Sequence, residues 1–198
     1  MNSYVVSEYQ KTLDVFNKIV SNSNFVSNVV KIAEVATSVL KNGGKIMFCG
    51  NGGSAADSQH LAAELVSKLY YDRPGLNAVA LTTDTSALTS IGNDYGYEKV
   101  FSRQVEAIGK KGDMLIGFST SGRSKNVLLA FEKAKSMNII TVGFLGQDGR
   151  DIGKISDYQV NIPSNSTPNI QEGHISTGHI ICAIIEDAIF ADKYKPKE

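Results

Sequence analysis

A chain of 198 residues is long enough for one well-cored domain and short for two. Its 20 basic and 20 acidic side chains cancel, and the isoelectric point near 6.8 leaves no electrostatic footprint for nucleic acid or an anionic membrane. The two cysteines, Cys49 and Cys182, lie in apolar stretches and exclude a disulfide framework; with no basic start followed by an apolar core, and no apolar run near the roughly 20 residues that span a bilayer, a cytoplasmic protein with a small-molecule or protein partner is expected.

In chain order, Val6, Tyr9, Leu13, Phe16 and Val20 recur at spacings of three and four, the seam of an amphipathic helix. A second helix follows with Phe25, Val29, Ile32, Ala33, Ala36, Val39 and Leu40 on one face, and Asn42-Gly43-Gly44 closes it as a C-cap. Two such helices exceed what the first strand needs for cover, and the surplus apolar surface predicts self-association. The apolar runs Ile46–Cys49, Ala78–Leu81, Met114–Phe118, Ile139–Phe144 and Tyr158–Ile162 read as five buried strands. Helices are predicted over Ser54–Lys68, Ser86–Ile91, Tyr97–Ile108, Ser124–Met137 and Ile170–Ala191, so the strands lie parallel and the fold is α/β, a three-layer sandwich of the flavodoxin-like kind. One domain is expected, with residues 1–42 as a helical extension and 43–192 as the sheet and helix core.

Two loops at carboxyl ends of strands carry the chemistry. In Gly50-Asn51-Gly52-Gly53-Ser54 the glycines permit a tight turn and close backbone approach, and Ser54 reads as the N-cap of a helix whose amino end suits an anion. In Ser119-Thr120-Ser121-Gly122-Arg123-Ser124, hydroxyls and backbone N–H groups open the next helix. Either loop alone is adequately explained as a capped turn, but the two on one parallel sheet point to a phosphorylated ligand. His60 and Glu64, four apart, share a helix face, as a plain surface pair would. Gln171, Ile175 and His179 repeat every four residues on one stripe of an apolar helix, where a satisfied core histidine is the plain reading. Taken together, His60, Glu64, Gln171 and His179 offer the N and O ligands a divalent metal such as zinc accepts. Eight residues of straight helix put Gln171 and His179 about 12 Å apart, so both reach one ion only if Gln171 lies in an irregular first turn or the two come from different subunits. Asn93-Asp94 reads as a polar turn able to hold substrate hydroxyls.

GNGGSAADSQHLAAEL, TSIGNDYGYEKVFSRQVEAIGKKGD, FSTSGRSKNV and IQEGHISTGHI, in this order, resemble the phosphoheptose isomerase family within the sugar isomerase (SIS) domains. The resemblance spans nearly the whole chain. It implies a homotetrameric cytoplasmic enzyme that converts sedoheptulose 7-phosphate to D-glycero-D-manno-heptose 7-phosphate for surface polysaccharides. It further implies phosphate held by Ser119, Thr120, Ser121 and Ser124, the sugar by Asn51, Gly52, Gly53, Asn93 and Asp94, and zinc by His60, Glu64, Gln171 and His179. For an isomerisation through an enediol, Glu64 is expected to be the base and His179 the acid. Two other readings fit parts of the pattern. Gly50, Gly52 and Ala55 fit the dinucleotide pattern G-x-G-x-x-A, but the acidic residue expected about 20 positions on is missing, Asp84 lying too far along. A non-catalytic SIS protein docking a replication initiator or another partner has no physical need for Gln171 and His179 beside Glu64.

Overall fold

The computed structural model describes residues 1–196, so the last two residues of the expected domain lie outside it. Five strands, β1 (Ile46–Cys49), β2 (Ala78–Ala80), β3 (Met114–Ser119), β4 (Ile140–Leu145) and β5 (Tyr158–Asn161), form one sheet in the order β2-β1-β3-β4-β5. All pairings are parallel, with registers Ile46↔Ala78, Ile46↔Met114, Met114↔Ile140 and Val142↔Tyr158. Around the sheet stand α1 (Asn2–Val20), α2 (Ser23–Lys41), α3 (Gly53–Val66), α4 (Thr85–Tyr95), α5 (Ser102–Ile108), α6 (Lys125–Ser136), α7 (Arg150–Ile155) and α8 (Thr167–Tyr194).

Side chains alternate across a pleated strand, and the sheet uses both faces. Ile46, Phe48, Met114, Ile116, Phe118, Val142 and Phe144 pack in one layer with apolar residues of α2, α3 and α8. Met47, Cys49, Leu115 and Leu145 pack in the other with residues of α5, α6 and α7. The expected three-layer α/β sandwich is therefore the observed fold. Asp113, fully buried at the amino edge of β3, accepts from the Lys45 N–H at 3.0 Å and the Lys110 N–H at 2.9 Å, and pairs with Lys45 Nζ at 2.5 Å. That knot locks β1 beside β3 and so brings their carboxyl-end loops together. From β1 the chain turns to β2 on one side, and from β3 to β4 on the other, which leaves a crevice between the two loops.

Four details of the sequence reading are corrected. The N-cap of α3 is Gly52 at φ +57°, not Ser54, which sits buried inside the first turn; a backbone that enters the helix from the left-handed region leaves the serine no capping geometry. Asn93 and Asp94 lie in the last turn of α4 rather than in a turn after it, because Asp84 caps that helix through the Ala87 N–H at 2.9 Å and it runs to Tyr95. The stretch 97–108 divides into a 3₁₀ turn, Tyr97–Lys99, and α5. A short helix, α7, stands between β4 and β5 where none was predicted. In addition, α8 has the length and hydropathy of a membrane span, contrary to the reading that no run approaches one. It packs against α1, α2 and α3 and carries the fully buried Glu186, as a core helix does.

Candidate active site

The glycine turn is held from three sides. Asn51 exchanges side-chain amides with Asn126, at 2.9 Å and 2.8 Å, and accepts from the Tyr97 hydroxyl at 3.1 Å. Asn126 is buried in the first turn of α6, so this pair joins the glycine turn to the helix opened by the second loop. Neither Asn126 nor Tyr97 was singled out from sequence; an asparagine buried at the start of an apolar helix was the available signal. A Cβ at Gly53 would fall 2.7 Å from Gln171 Nε2, so the glycine leaves the space in which that amide lies against the turn.

The second loop is a knot of hydroxyls. Ser119 Oγ lies 2.8 Å from Ser124 Oγ and 3.5 Å from Ser121 Oγ, and accepts from the Ser124 N–H at 3.4 Å. The Gly122 N–H donates to Ser119 O at 3.1 Å, closing the turn with Gly122 at φ +64°. Thr120, Ser121 and Arg123 line a cavity of about 250 Å³, completed by Gly146–Arg150 and by Ser164, Asn165, Thr167 and Ile170. The loop thus presents donors to a polar hollow at the amino end of α6, the arrangement an anion needs.

His60, Glu64 and His179 come together where α3 meets α8, outside the lining of that hollow. His60 Nε2 is 2.8 Å from His179 Nε2 and 3.2 Å from Glu64 Oε1, and one ligand atom from each lies within 4.8 Å of the other two. The packing of α3 on α8 produces this meeting: a Cβ at Gly178 would fall 2.4 Å from Leu61 Cδ1, so the helices touch beside His60 and His179. The cluster is open to solvent, His60 by half and Glu64 by a fifth of its side chain. Asp57, one turn before His60 and unmarked in the sequence reading, is pushed upward in pKa by burial, which the nearby His60 partly offsets, and its Oδ2 has no hydrogen-bond partner among the described residues.

Other expected site residues are placed differently. Gln171 lies within regular α8, at the glycine turn. Asn93 donates to Asp94 Oδ1 at 2.8 Å on the exposed end of α4, and among the described residues neither bonds to the rest of the site. His179, for which a satisfied core position was the plain reading, is instead half-buried in the cluster with His60 and Glu64, and the core histidine is His174, off that stripe: its Nε2–H donates to Leu145 O at 3.1 Å between the rings of Phe118 and Phe144. Burial holds its pKa down at about 4.

The SIS domain model matches residues 9–146. The phosphoheptose isomerase of Aneurinibacillus thermoaerophilus is 51% identical over 194 residues, covering 98% of both chains. That of Clostridium acetobutylicum is 49% identical over 193 residues, again covering 98% of each. Among solved structures, the phosphoheptose isomerase of Neisseria gonorrhoeae superimposes with a TM-score of 0.88 at 42% identity, over 94% of this chain and 98% of that one. With the fold, the glycine turn, the hydroxyl loop and the histidine–glutamate cluster all in place, the chain belongs to the phosphoheptose isomerase family of SIS-domain proteins.

Proposed function

We propose that the protein isomerises sedoheptulose 7-phosphate to D-glycero-D-manno-heptose 7-phosphate through an enediol, the first step toward a heptose for surface polysaccharide. One observation carries the reading beyond family membership: Glu64 and His179, from helices far apart in sequence, meet at α3, whose glycine turn is tied through Asn51 and Asn126 to the helix that the hydroxyl loop opens. Ser119, Thr120, Ser121 and Ser124 bind the phosphate, and Asn51, Gly52, Gly53, Asn93, Asp94 and Gln171 bind the sugar chain. Glu64 takes the proton from C1 of the ketose and returns it to C2. His179 gives a proton to the carbonyl oxygen on C2 and receives one from the hydroxyl on C1, so the proton count closes with the carbonyl moved by one carbon.

The donor set fits zinc. Two imidazole nitrogens and a carboxylate oxygen, with neighbours at 2.8 Å and 3.2 Å, have nearly the ligand separation of about 3.3 Å that bonds of about 2.0–2.1 Å impose around a tetrahedral ion. His60, Glu64 and His179 would hold it, and Gln171 would join from a second copy of the chain, since about 12 Å of helix separates it from His179 within one. Bound there, zinc supplies Lewis acidity toward the carbonyl oxygen. Residues 1–42 act as an oligomerisation extension on a 43–192 core, in a homotetramer. Val6, Tyr9 and Leu13, exposed on α1, support that assembly. The buried free thiols support a cytoplasmic setting; burial pushes Cys182 up to about 12.

Proton NMR of sedoheptulose 7-phosphate with the protein in D₂O, before and after chelation and zinc readdition, tests the reading. Aldose signals with deuterium entering beside the carbonyl are expected. No conversion in any metal state would overturn it.

A further inference from the structure

Arg73 and Glu186 form an ion pair with both side chains fully buried, Arg73 Nε standing 3.0 Å from Glu186 Oε1. Neither meets the side chains of the candidate site, yet the pair grips the two helices that build it. The turn Arg73-Pro74-Gly75 folds the loop after α3 back beneath that helix, where the Leu76 N–H donates to Leu65 O at 3.0 Å. From there the guanidinium reaches the last carbonyls of α3. Arg73 Nη2 donates to Glu64 O at 2.8 Å, and Nη1 donates to Leu65 O at 2.7 Å and Ser67 O at 2.8 Å. A rigid cationic fork is well matched to a helix end, where carbonyls lack intrahelical partners and the dipole is negative.

Glu186 lies on α8, two helical turns beyond His179 on the same stripe. Its carboxylate accepts from the Leu69 and Tyr70 N–H groups, each at 2.9 Å, as well as from Arg73. The Tyr71 hydroxyl stands 3.1 Å from both Glu186 O and Asp187 Oδ1. Every donor to this carboxylate comes from the loop that follows α3, and the guanidinium returns to the backbone carbonyl of Glu64 itself. A buried ion pair is a poor source of net stability compared with apolar side chains of equal volume. Its fixed hydrogen-bond geometry specifies position instead.

We propose that the buried Arg73–Glu186 pair, strapped by Leu69 to Tyr71, is a positioning clamp that sets α3 against α8 and thereby the approach of Glu64 and His60 to His179. The clamp rests on the isomerase reading, in which those groups must act on one substrate. A displacement of about 1 Å between catalytic groups can cost on the order of 10²-fold in rate, so the clamp acts on turnover more than on binding.

The test compares Arg73→Lys, Glu186→Gln and Tyr71→Phe with the parent protein, at a temperature where each is folded. Steady-state isomerisation of sedoheptulose 7-phosphate should show kcat lowered about 10²-fold in the first two and about 3-fold in the third, with KM changed less than about 3-fold. A second readout is independent of turnover: of the three histidines in the chain, the imidazole NMR signals of His60 and His179 should move, while that of His174 stays. Parental kcat with unmoved His60 and His179 signals would overturn the clamp. If the two charge variants do not fold, Tyr71→Phe decides by the same readouts. If the parent protein does not turn over the sugar phosphate, the functional reading fails and the histidine signals alone decide the clamp.

Discussion

Glu64 and His60 were visible in the sequence as a pair on one helix face, but the partner that gives them meaning, His179, is 119 residues from His60 and no local pattern connects them. Their ligand chemistry as a set suggested the link, and the resemblance supported it. Replacing Glu64 by Gln keeps the size of the side chain and removes the proposed base, so kcat should fall about 10³-fold while calorimetric affinity for the sugar phosphate changes little. Parental turnover in that variant would remove Glu64 from the role. His174 supports a different prediction. With its pKa at about 4 against an ordinary 6.5, the unfolded chain binds a proton across that window and the folded chain does not. Stability is therefore complete above pH 6.5 and is lost as pH falls toward 4, by roughly 3 kcal/mol for a shift of this size. His174→Gln, which can still donate to Leu145 O, should flatten that part of the thermal-midpoint curve; identical curves would show that the imidazole does not set it.

At the scale of elements, what could be read was whatever local chemistry decides. Buried strands, the glycine turn and the hydroxyl loop all follow from residue type and spacing, and they stand where expected. Missed features depended on the backbone or on distant partners. The amino end of α3 was assigned to Ser54 because serine is the stronger cap, whereas the left-handed Gly52 decided the entry. The helix α7 spans six residues, too few for periodicity to show. The Arg73–Glu186 pair joins residues 113 apart. The contact of α3 with α8 was likewise hidden, although Gly178 beside His179 is its sign. Gly178→Ala places a methyl where Leu61 now packs, and should cost about 1–3 kcal/mol of stability together with a drop in kcat. Chemical denaturation and initial rates on one preparation measure both, and a variant unchanged in each would show that the helices have room to part.

For the molecule as a whole, α1 is where apolar side chains remain most exposed. Val6, Tyr9 and Leu13 are 67%, 70% and 55% exposed, the stripe that periodicity picks out and that a second copy covers in the proposed assembly. Leu13→Glu places a charge on it and should raise the dissociation constant of the proposed assembly at least about 30-fold, the consequence of losing about 2 kcal/mol at an interface anchor. Sedimentation velocity would show lighter species at concentrations where the parent remains assembled, and unchanged mass would move the interface elsewhere.

The strand order also governs when chemistry can begin. β1 and β3 are neighbours although the whole of α3, β2, α4 and α5 lies between them, and the last helix supplies His179. Such non-local pairings are slow to form, since loop closure must be met before contacts reward it. A chain released before α8 could assemble its hydroxyl loop and still lack His179, the proposed acid. Catalysis in this protein is therefore a late event of folding, and turnover reports on finished molecules alone.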